Sequence, residues 1–414
     1  MSLLNRLRRL GRALPVSPVV MHRLRRMAGL GFRMTAWAKH GRARRPQSPR
    51  PGAVCVIGFH GSVLGIGEAA RALSRALRET GVEVVDWDIS ARFGHEVRLG
   101  GNWITKPPTE AAAMIIVLNP HELIQLVAMV GPAPFQNRFC VGAWAWELER
   151  APASWREGFR YVDEVWAPSR FVAEAVARSA PPGARVRILP HPVPTPAATP
   201  DRAAFGLPQD KTVVLTAFDV RSGFHRKNPI AAVRAFRLAN REGRAVMLCK
   251  AAGVEGAPDL IAALKAEIGD GGDVRLLTDW LTGEQMASLI ASADIILSLH
   301  RSEGFGLLPA QGMAAGKAVV ATGWSANLDF MNPDNSVLVD YTLTPVRDSQ
   351  GLYTTGRWAE ADVQDAAAKL GRLIADPDRR QALGARAAAD IAAGLAPAVI
   401  GGQAMAWLAQ GQED

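Results

Sequence analysis

Acidic residues are missing from the first fifty positions, which hold 13 Arg and Lys and no Asp or Glu. The remaining residues carry 35 basic against 39 acidic side chains, so the formal net charge of +9 belongs to the leader alone. That confinement argues against a nucleic-acid groove running over the whole protein. It favours an anionic surface, such as phospholipid headgroups, as the partner of residues 1–50. Cysteine is scarce as well. Cys55, Cys140 and Cys249 are odd in number, far apart and set in apolar runs, so neither a disulfide framework nor a metal site is indicated and a reducing cytoplasm is the expected compartment. No uninterrupted run of 18 apolar residues occurs. The best stretch, Ala111 to Val130, is broken by Asn119, Pro120, His121, Glu122 and Gln125, and no bilayer span is expected.

Within the leader, Leu3, Leu7, Leu10 and Leu14 recur at helical spacing beside Arg6, Arg8, Arg9 and Arg12. This pattern fits a helix lying in a membrane interface, and equally a basic leader without structure or a helix packed on its own domain. No long apolar segment follows the charged one, which argues against a secretory signal.

The 414 residues, 48% hydrophobic and 21% charged, suit two domains with sizeable cores. After prolines at 46, 49 and 51, apolar runs read as strands at Ala53–Phe59, Val82–Trp87, Met114–Leu118, Phe139–Ala145, Glu164–Ala167 and Val186–Leu189. A helix is expected over Glu68–Glu79. Five prolines between Pro190 and Pro200 mark a stiff linker. The alternation then restarts, with strands at Val213–Phe218, Ala245–Lys250, Val274–Leu277, Ile295–Leu299 and Ala318–Ala321 and helices from Pro229, Ala257, Gly283 and Leu307. Ala-rich helices are expected from about Trp358 to Gln410. The expected organisation is a leader over 1–50, Rossmann-like α/β domains over 51–195 and 196–390, and a last helix over 391–414 packing back on the first domain. Parallel sheets of this kind bind ligands at the carboxyl ends of their strands, here expected in the cleft where the two domains face each other.

The most informative segment is His300–Thr322, HRSEGFGLLPAQGMAAGKAVVAT, read as strand end, glycine loop, helix and next strand. Glu303 stands at the strand end. Gly304, Phe305, Gly306 and Leu307 turn the backbone into a helix N-terminus whose amides suit a diphosphate, and Gln311 lies a little over two turns along. A plain helix start with packing glycines explains the spacing equally well. In Phe218–Ala239, FDVRSGFHRKNPIAAVRAFRLA, Arg226 and Lys227 precede the helix near Pro229. Taken alone, such a pair is more readily two solvated surface cations.

Together these segments resemble the retaining group 1 (family 4-like) glycosyltransferases of the GT-B fold, whose signature is Glu, seven residues, Glu, around Gly-Phe-Gly-Leu. The resemblance covers roughly Ala53 to Asp340. It implies that Glu303 contacts donor-sugar hydroxyls, the amides of Gly304–Leu307 contact the diphosphate, and Arg226 and Lys227 neutralise it. The second signature Glu is Gln311 here, an uncharged side chain still able to bond a ribose hydroxyl. In the first domain, His60–Glu68 resembles the family's glycine loop through Gly65 and Gly67, and His121 matches a His placed near the donor sugar. The stretch Gly142–Val172 resembles a bacterial exopolysaccharide branch. There Trp144 and Trp146 would stack on a sugar whose hydroxyls Glu147 accepts, although core packing explains the tryptophans as well. Ser169 is expected to cap a helix.

The resemblance implies hexose transfer from a nucleotide diphosphate sugar to a saccharide or lipid-linked saccharide acceptor, with retention and with no metal or further cofactor. The enzyme is expected in the cytoplasm, peripheral on the inner membrane face. Asp86, Trp87 and Asp88 spell a D-x-D too short to argue for a metal. An epimerase or phosphorylase on the same architecture, or a non-catalytic nucleotide-sugar-binding subunit, stays open.

Overall fold

The structure, a computed structural model, describes residues 52–410 and, before them, Gly31, Met34 and Thr35. The rest of the basic leader, with its expected membrane helix, lies outside the described residues. Packing divides the chain into two units. The described part of the first is residues 52–146, 150–192 and 397–410, and the second is Glu147–Glu149 with Val193–Ala396.

The first unit alternates β1 (Val54–Gly58), α1 (Gly65–Glu79), β2 (Val84–Asp88), β3 (Ala113–Ile116), α2 (Pro120–Val130), β4 (Phe139–Ala143), β5 (Glu164–Ala167), α3 (Arg170–Ala177) and β6 (Arg185–Ile188). The strands form one parallel sheet in the order β2-β1-β3-β4-β5-β6. Every residue of β1, β3 and β5 is buried, as expected of strands covered on both faces. Ser169 caps α3, its hydroxyl accepting from the Val172 amide at 3.2 Å. Helix α1 begins at Gly65, three residues before the sequence reading placed it. At Gly67 an added Cβ would lie 2.6 Å from the Phe59 carbonyl oxygen, so only glycine lets the helix start this close to the strand end.

The second unit runs β7 (Thr212–Asp219), α4 (Phe224–Lys227), α5 (Pro229–Ala239), β8 (Ala245–Ala252), α6 (Pro258–Ile268), β9 (Val274–Leu277), α7 (Gly283–Ser292), β10 (Ile295–Ser298), α8 (Leu307–Ala314), β11 (Ala318–Thr322) and β12 (Val337–Val339). Its parallel sheet has the order β12-β11-β10-β7-β8-β9. An antiparallel hairpin of β13 (Tyr341–Pro345) and β14 (Arg357–Ala361) follows, then α9 (Val363–Ala375) and α10 (Pro377–Leu395). Trp358 therefore lies in a strand, and the terminal helices start at Val363, capped by Asp362. The hairpin was missed because its strands are joined by residues 346–356, so no short turn signal links them.

The chain passes between units at 192/193 and returns at 396/397, where the Val193 amide donates to the Leu395 carbonyl at 2.8 Å. The last helix, α11 (Pro397–Gln410), packs on α1 within the first unit. A Cβ at Gly401 would collide with the Ala76 carbonyl, and Trp407 lies 5.7 Å from Trp166 and under the Arg187 guanidinium. Among the described residues one helical stretch, Pro377–Gln410, is long and apolar enough by composition to cross a membrane. It is divided at Ala396 into α10 and α11, and Ile400, Ala404 and Leu408 are buried. Ala111–Val130, singled out from sequence, instead contains β3 and α2.

Each sheet reverses its winding once, between β1 and β3 in the first unit and between β7 and β10 in the second. Loops at the carboxyl ends of such neighbouring strands diverge and leave a crevice.

Candidate active site

In the second unit the loops leaving β7 and β10 bring Arg226, Lys227 and Glu303 together. The sequence after β7 turns at Gly223, with φ of 106°, into the four-residue α4, and Asn228 in the left-handed region at φ 53° breaks this helix from α5. Asn tolerates that conformation better than most residues. The break leaves Arg226 and Lys227 at the end of a short turn facing β10. Arg226 Nη1 donates to Glu303 Oε2 at 2.9 Å and to the Ser302 carbonyl at 2.8 Å, while Nη2 donates to the Ser222 carbonyl at 2.8 Å. Lys227 Nζ donates to Glu303 Oε1 at 2.5 Å.

The Arg226 side chain is 3% exposed and that of Glu303 9%, so this is a buried ionic cluster. Burial alone would raise the Glu303 carboxyl. Lys227 and Arg226 outweigh it and hold the group down at about 2, so Glu303 is ionised at neutral pH. Arg226 Nε is buried and finds no hydrogen-bond partner among the described residues, although the other nitrogens are engaged. A buried guanidinium with one edge unfilled is a place for an anion.

The neighbourhood fixes Glu303 further. Its amide donates to Ser325 Oγ at 2.9 Å, and Ser325 is held at φ 76°, a strained conformation for a residue with a side chain. His300 is fully buried, its ring nitrogens within 3.0 Å of Ser298 Oγ and 3.1 Å of Asn327 Oδ1, and burial lowers its pKa. Gly306, at φ 99°, caps the N-terminus of α8. Phe305 is buried against Phe330, with ring centroids 5.3 Å apart. Gln311 is half-buried on α8, and its side chain makes no hydrogen bond among the described residues. The hairpin braces the same loops: Arg301 Nε donates to Glu360 Oε2 at 2.5 Å, and the Arg301 amide donates to the Arg226 carbonyl at 2.7 Å. Gln350, between the hairpin strands, accepts from the Phe224 amide at 2.6 Å and donates to the Val220 carbonyl at 2.9 Å.

Arg301, Glu360, Gln350, Tyr353, His300 and Ser325 were not legible as site residues. Most of their partners lie far away in sequence, and only the closeness of His300 and Arg301 to Glu303 offered a local signal. Glu147 was singled out for a sugar, and its Oε1 lies 3.9 Å from Nη2 of Arg226.

In the first unit the equivalent crevice is formed by the loops after β1 and β3. Gly65 is exposed and Gly67 buried at the start of α1, and His121 sits in the first turn of α2, after β3. The His121 side chain is 60% exposed and lies 2.8 Å from Glu122. Trp144 is fully buried, edge-on to Trp155 and Phe159, so it is core and does not offer a face to a sugar. Trp146 is half-buried, and its Nε1 donates to the Arg150 carbonyl at 2.8 Å. Asp88 accepts from the Gly61 amide and Ser90, and Asp86 pairs with Arg78, which makes the D-x-D a fold-holding element. The three cysteines are buried and form no disulfide among the described residues, and burial raises Cys249 to about 12. Among the described residues no group of three or more His, Cys, Asp or Glu is placed to hold a metal.

Residues 220–376 match the family described as glycosyl transferases group 1. Over 215 residues the chain is 31% identical to a D-inositol 3-phosphate glycosyltransferase of Xylanimonas cellulosilytica, which covers 50% of this chain and 46% of that protein. The chain thus spans about half the length of the curated relative it matches. Among solved structures, a glycosyltransferase of Rickettsia africae aligns over 88% of this chain and 99% of its own at TM-score 0.64 and 12% identity. Anabaena HepE, solved with UDP and glucose, aligns over 87% and 100% at 0.63 and 14%. Sucrose-phosphate synthase of Thermosynechococcus elongatus aligns over 87% and 99% at 0.65 and 16%. At these identities the structural likeness is one of fold. The two six-stranded parallel sheets are those of the GT-B fold, and residues 220–376, which hold Arg226, Lys227 and Glu303, match the group 1 glycosyltransferases.

Proposed function

We propose that the chain is a glycosyltransferase moving a hexose from a nucleotide diphosphate sugar to a saccharide or lipid-linked saccharide acceptor, with retention of anomeric configuration, in bacterial exopolysaccharide or lipopolysaccharide synthesis. The observation that carries this reading is the buried Glu303, clamped by Arg226 and Lys227 at the switch point of the second sheet beside a glycine-capped helix. A diphosphate leaving group gains negative charge as the glycosidic bond breaks. Fixed cations and helix N-terminal amides stabilise that charge more in the transition state than in the ground state. Arg226, Lys227 and the amides of Gly304, Phe305, Gly306 and Leu307 take this role. The ionised Glu303 accepts hydroxyl hydrogens of the donor sugar and orients it, and Gln311 bonds the nucleotide ribose. The diphosphate leaves from the face that the acceptor attacks, and its oxygen receives the acceptor proton.

The group 1 match over this segment and the UDP and glucose in HepE support a nucleotide-sugar donor. On this reading no metal or further cofactor takes part, since the cations and helix N-terminus serve in its place. For the first unit, the family resemblance gives His121 and the loop around Gly65 and Gly67 a share in donor binding. Residues 1–50 hold the enzyme on anionic lipid at the cytoplasmic membrane face. Incubation with a donor sugar and candidate acceptors, followed by proton NMR of the new glycosidic bond, tests the reaction. An axial donor linkage giving an axial product supports retention; inversion, or epimerised donor with no acceptor consumed, contradicts it.

A further inference from the structure

Arg226 lies between two carboxylates. Glu303 engages Nη1 at 2.9 Å, whereas Glu147 Oε1 stands 3.9 Å from Nη2, near but outside hydrogen-bond distance. The opposite pull on Glu147 comes from the Tyr353 hydroxyl, which hydrogen-bonds its carboxylate. Tyr353 is itself buried, and its ring lies over the turn at Gly223, where an added Cβ would meet Tyr353 Cε2 at 3.5 Å and Arg226 Nε at 3.6 Å. The partnerless Nε, the half-engaged Nη2, Glu147 and Tyr353 thus share one edge of the guanidinium. The cluster holds two cations, Arg226 and Lys227, against two carboxylates, Glu303 and Glu147, so its charges balance.

We propose that Glu147 is a built-in counter-anion for the outer edge of Arg226, held back by Tyr353 and displaced when a nucleoside diphosphate takes that edge. This rests on the reading of Arg226 as the diphosphate ligand and adds to it a residue that sets donor and product affinity by charge. A diphosphate entering the site meets Arg226 and Lys227 attractively and Glu147 repulsively. Glu147→Gln keeps shape and an acceptor for Tyr353 while removing the repulsion.

The test is calorimetric titration of the full chain with UDP, GDP, ADP and inorganic pyrophosphate. For the nucleotide that wild type binds, Glu147→Gln is expected to bind about three- to thirty-fold tighter, with a smaller gap at high salt. Tyr353→Phe, which frees Glu147 to close on Arg226, is expected to bind several-fold weaker, and to have no effect in the Glu147→Gln background. Glu147→Ala, read alongside ligand-free melting temperatures, covers any folding defect in the glutamine variant. Unchanged or weaker binding in both Glu147 variants, with wild type still binding, overturns this inference alone. If wild type binds none of the four probes, the donor-site reading falls and takes this inference with it.

Discussion

In the first unit the polar groups around the switch point hold their own loop together. Asp88 accepts from the Gly61 amide, Arg71 donates to the carbonyls of His60 and Ser62, and Ser62 donates to the Glu96 carbonyl. In the second unit the same topological position carries four charged side chains, a strained serine and one buried guanidinium nitrogen without a partner among the described residues. One topology thus serves two ends. Among the described residues both crevices leave a buried polar atom without a partner, His60 Nδ1 and Glu122 Oε2 in the first and Arg226 Nε in the second, so what sets the second apart is two cations clamped on one buried carboxylate. The proposed function puts most of the chemistry in the second unit, and the contrast can be broken or sharpened by substitution.

The largest effect is expected for Glu303→Ala, a loss of about 100- to 1000-fold in turnover, the range for removing a group that acts on developing charge or orientation. Turnover within about three-fold of wild type would end the assignment of Glu303. Next, Arg226→Ala is expected to abolish measurable nucleotide binding, whereas His121→Ala in the first unit lowers turnover about ten-fold, the worth of one hydrogen bond from an exposed imidazole. Equal losses in both variants would erase the contrast between the units.

Acid titration is expected to give a smaller effect with a defined sign. Glu303 is depressed from an ordinary value of 4.5 to about 2, so its contribution to stability is fully present above about pH 4.5 and fades as pH falls towards 2. Thermal unfolding midpoints of Glu303→Gln should fall less steeply across that window than those of wild type; parallel curves would show that the carboxylate is not held as described. Smallest is the glycine pair of the first unit. Gly67→Ala must push against the Phe59 carbonyl and should cost about 1–3 kcal/mol. Gly65→Ala has open space and should stay within about 0.5 kcal/mol, and denaturant melts compare the two.

Much of the second unit was legible because its strands are apolar runs and its glycines mark the turns around Glu303. Arg226 and Lys227 were read correctly as neighbours of the α5 start, but their clamp on Glu303 joins residues 76 and 77 positions apart, which no local pattern reports. The β13–β14 hairpin was hidden for the same reason, and with it Gln350, Tyr353 and Glu360. In the first unit, Trp144 looked like a sugar platform because an aromatic at a strand end has the same signature whether it faces a ligand or the core. Its burial beneath Trp155 and Phe159 decides for the core.

The central claim is that the Arg226, Lys227 and Glu303 cluster is a nucleotide-sugar site, and ligand-induced thermal shift tests it most directly. Purified protein would be screened against UDP-, GDP- and ADP-linked hexoses, because a ligand that binds only the folded state raises the melting temperature. A shift with one nucleotide family in wild type, absent in Arg226→Ala, is the predicted result. No shift with any of them, or a shift that survives Arg226→Ala undiminished, contradicts the account.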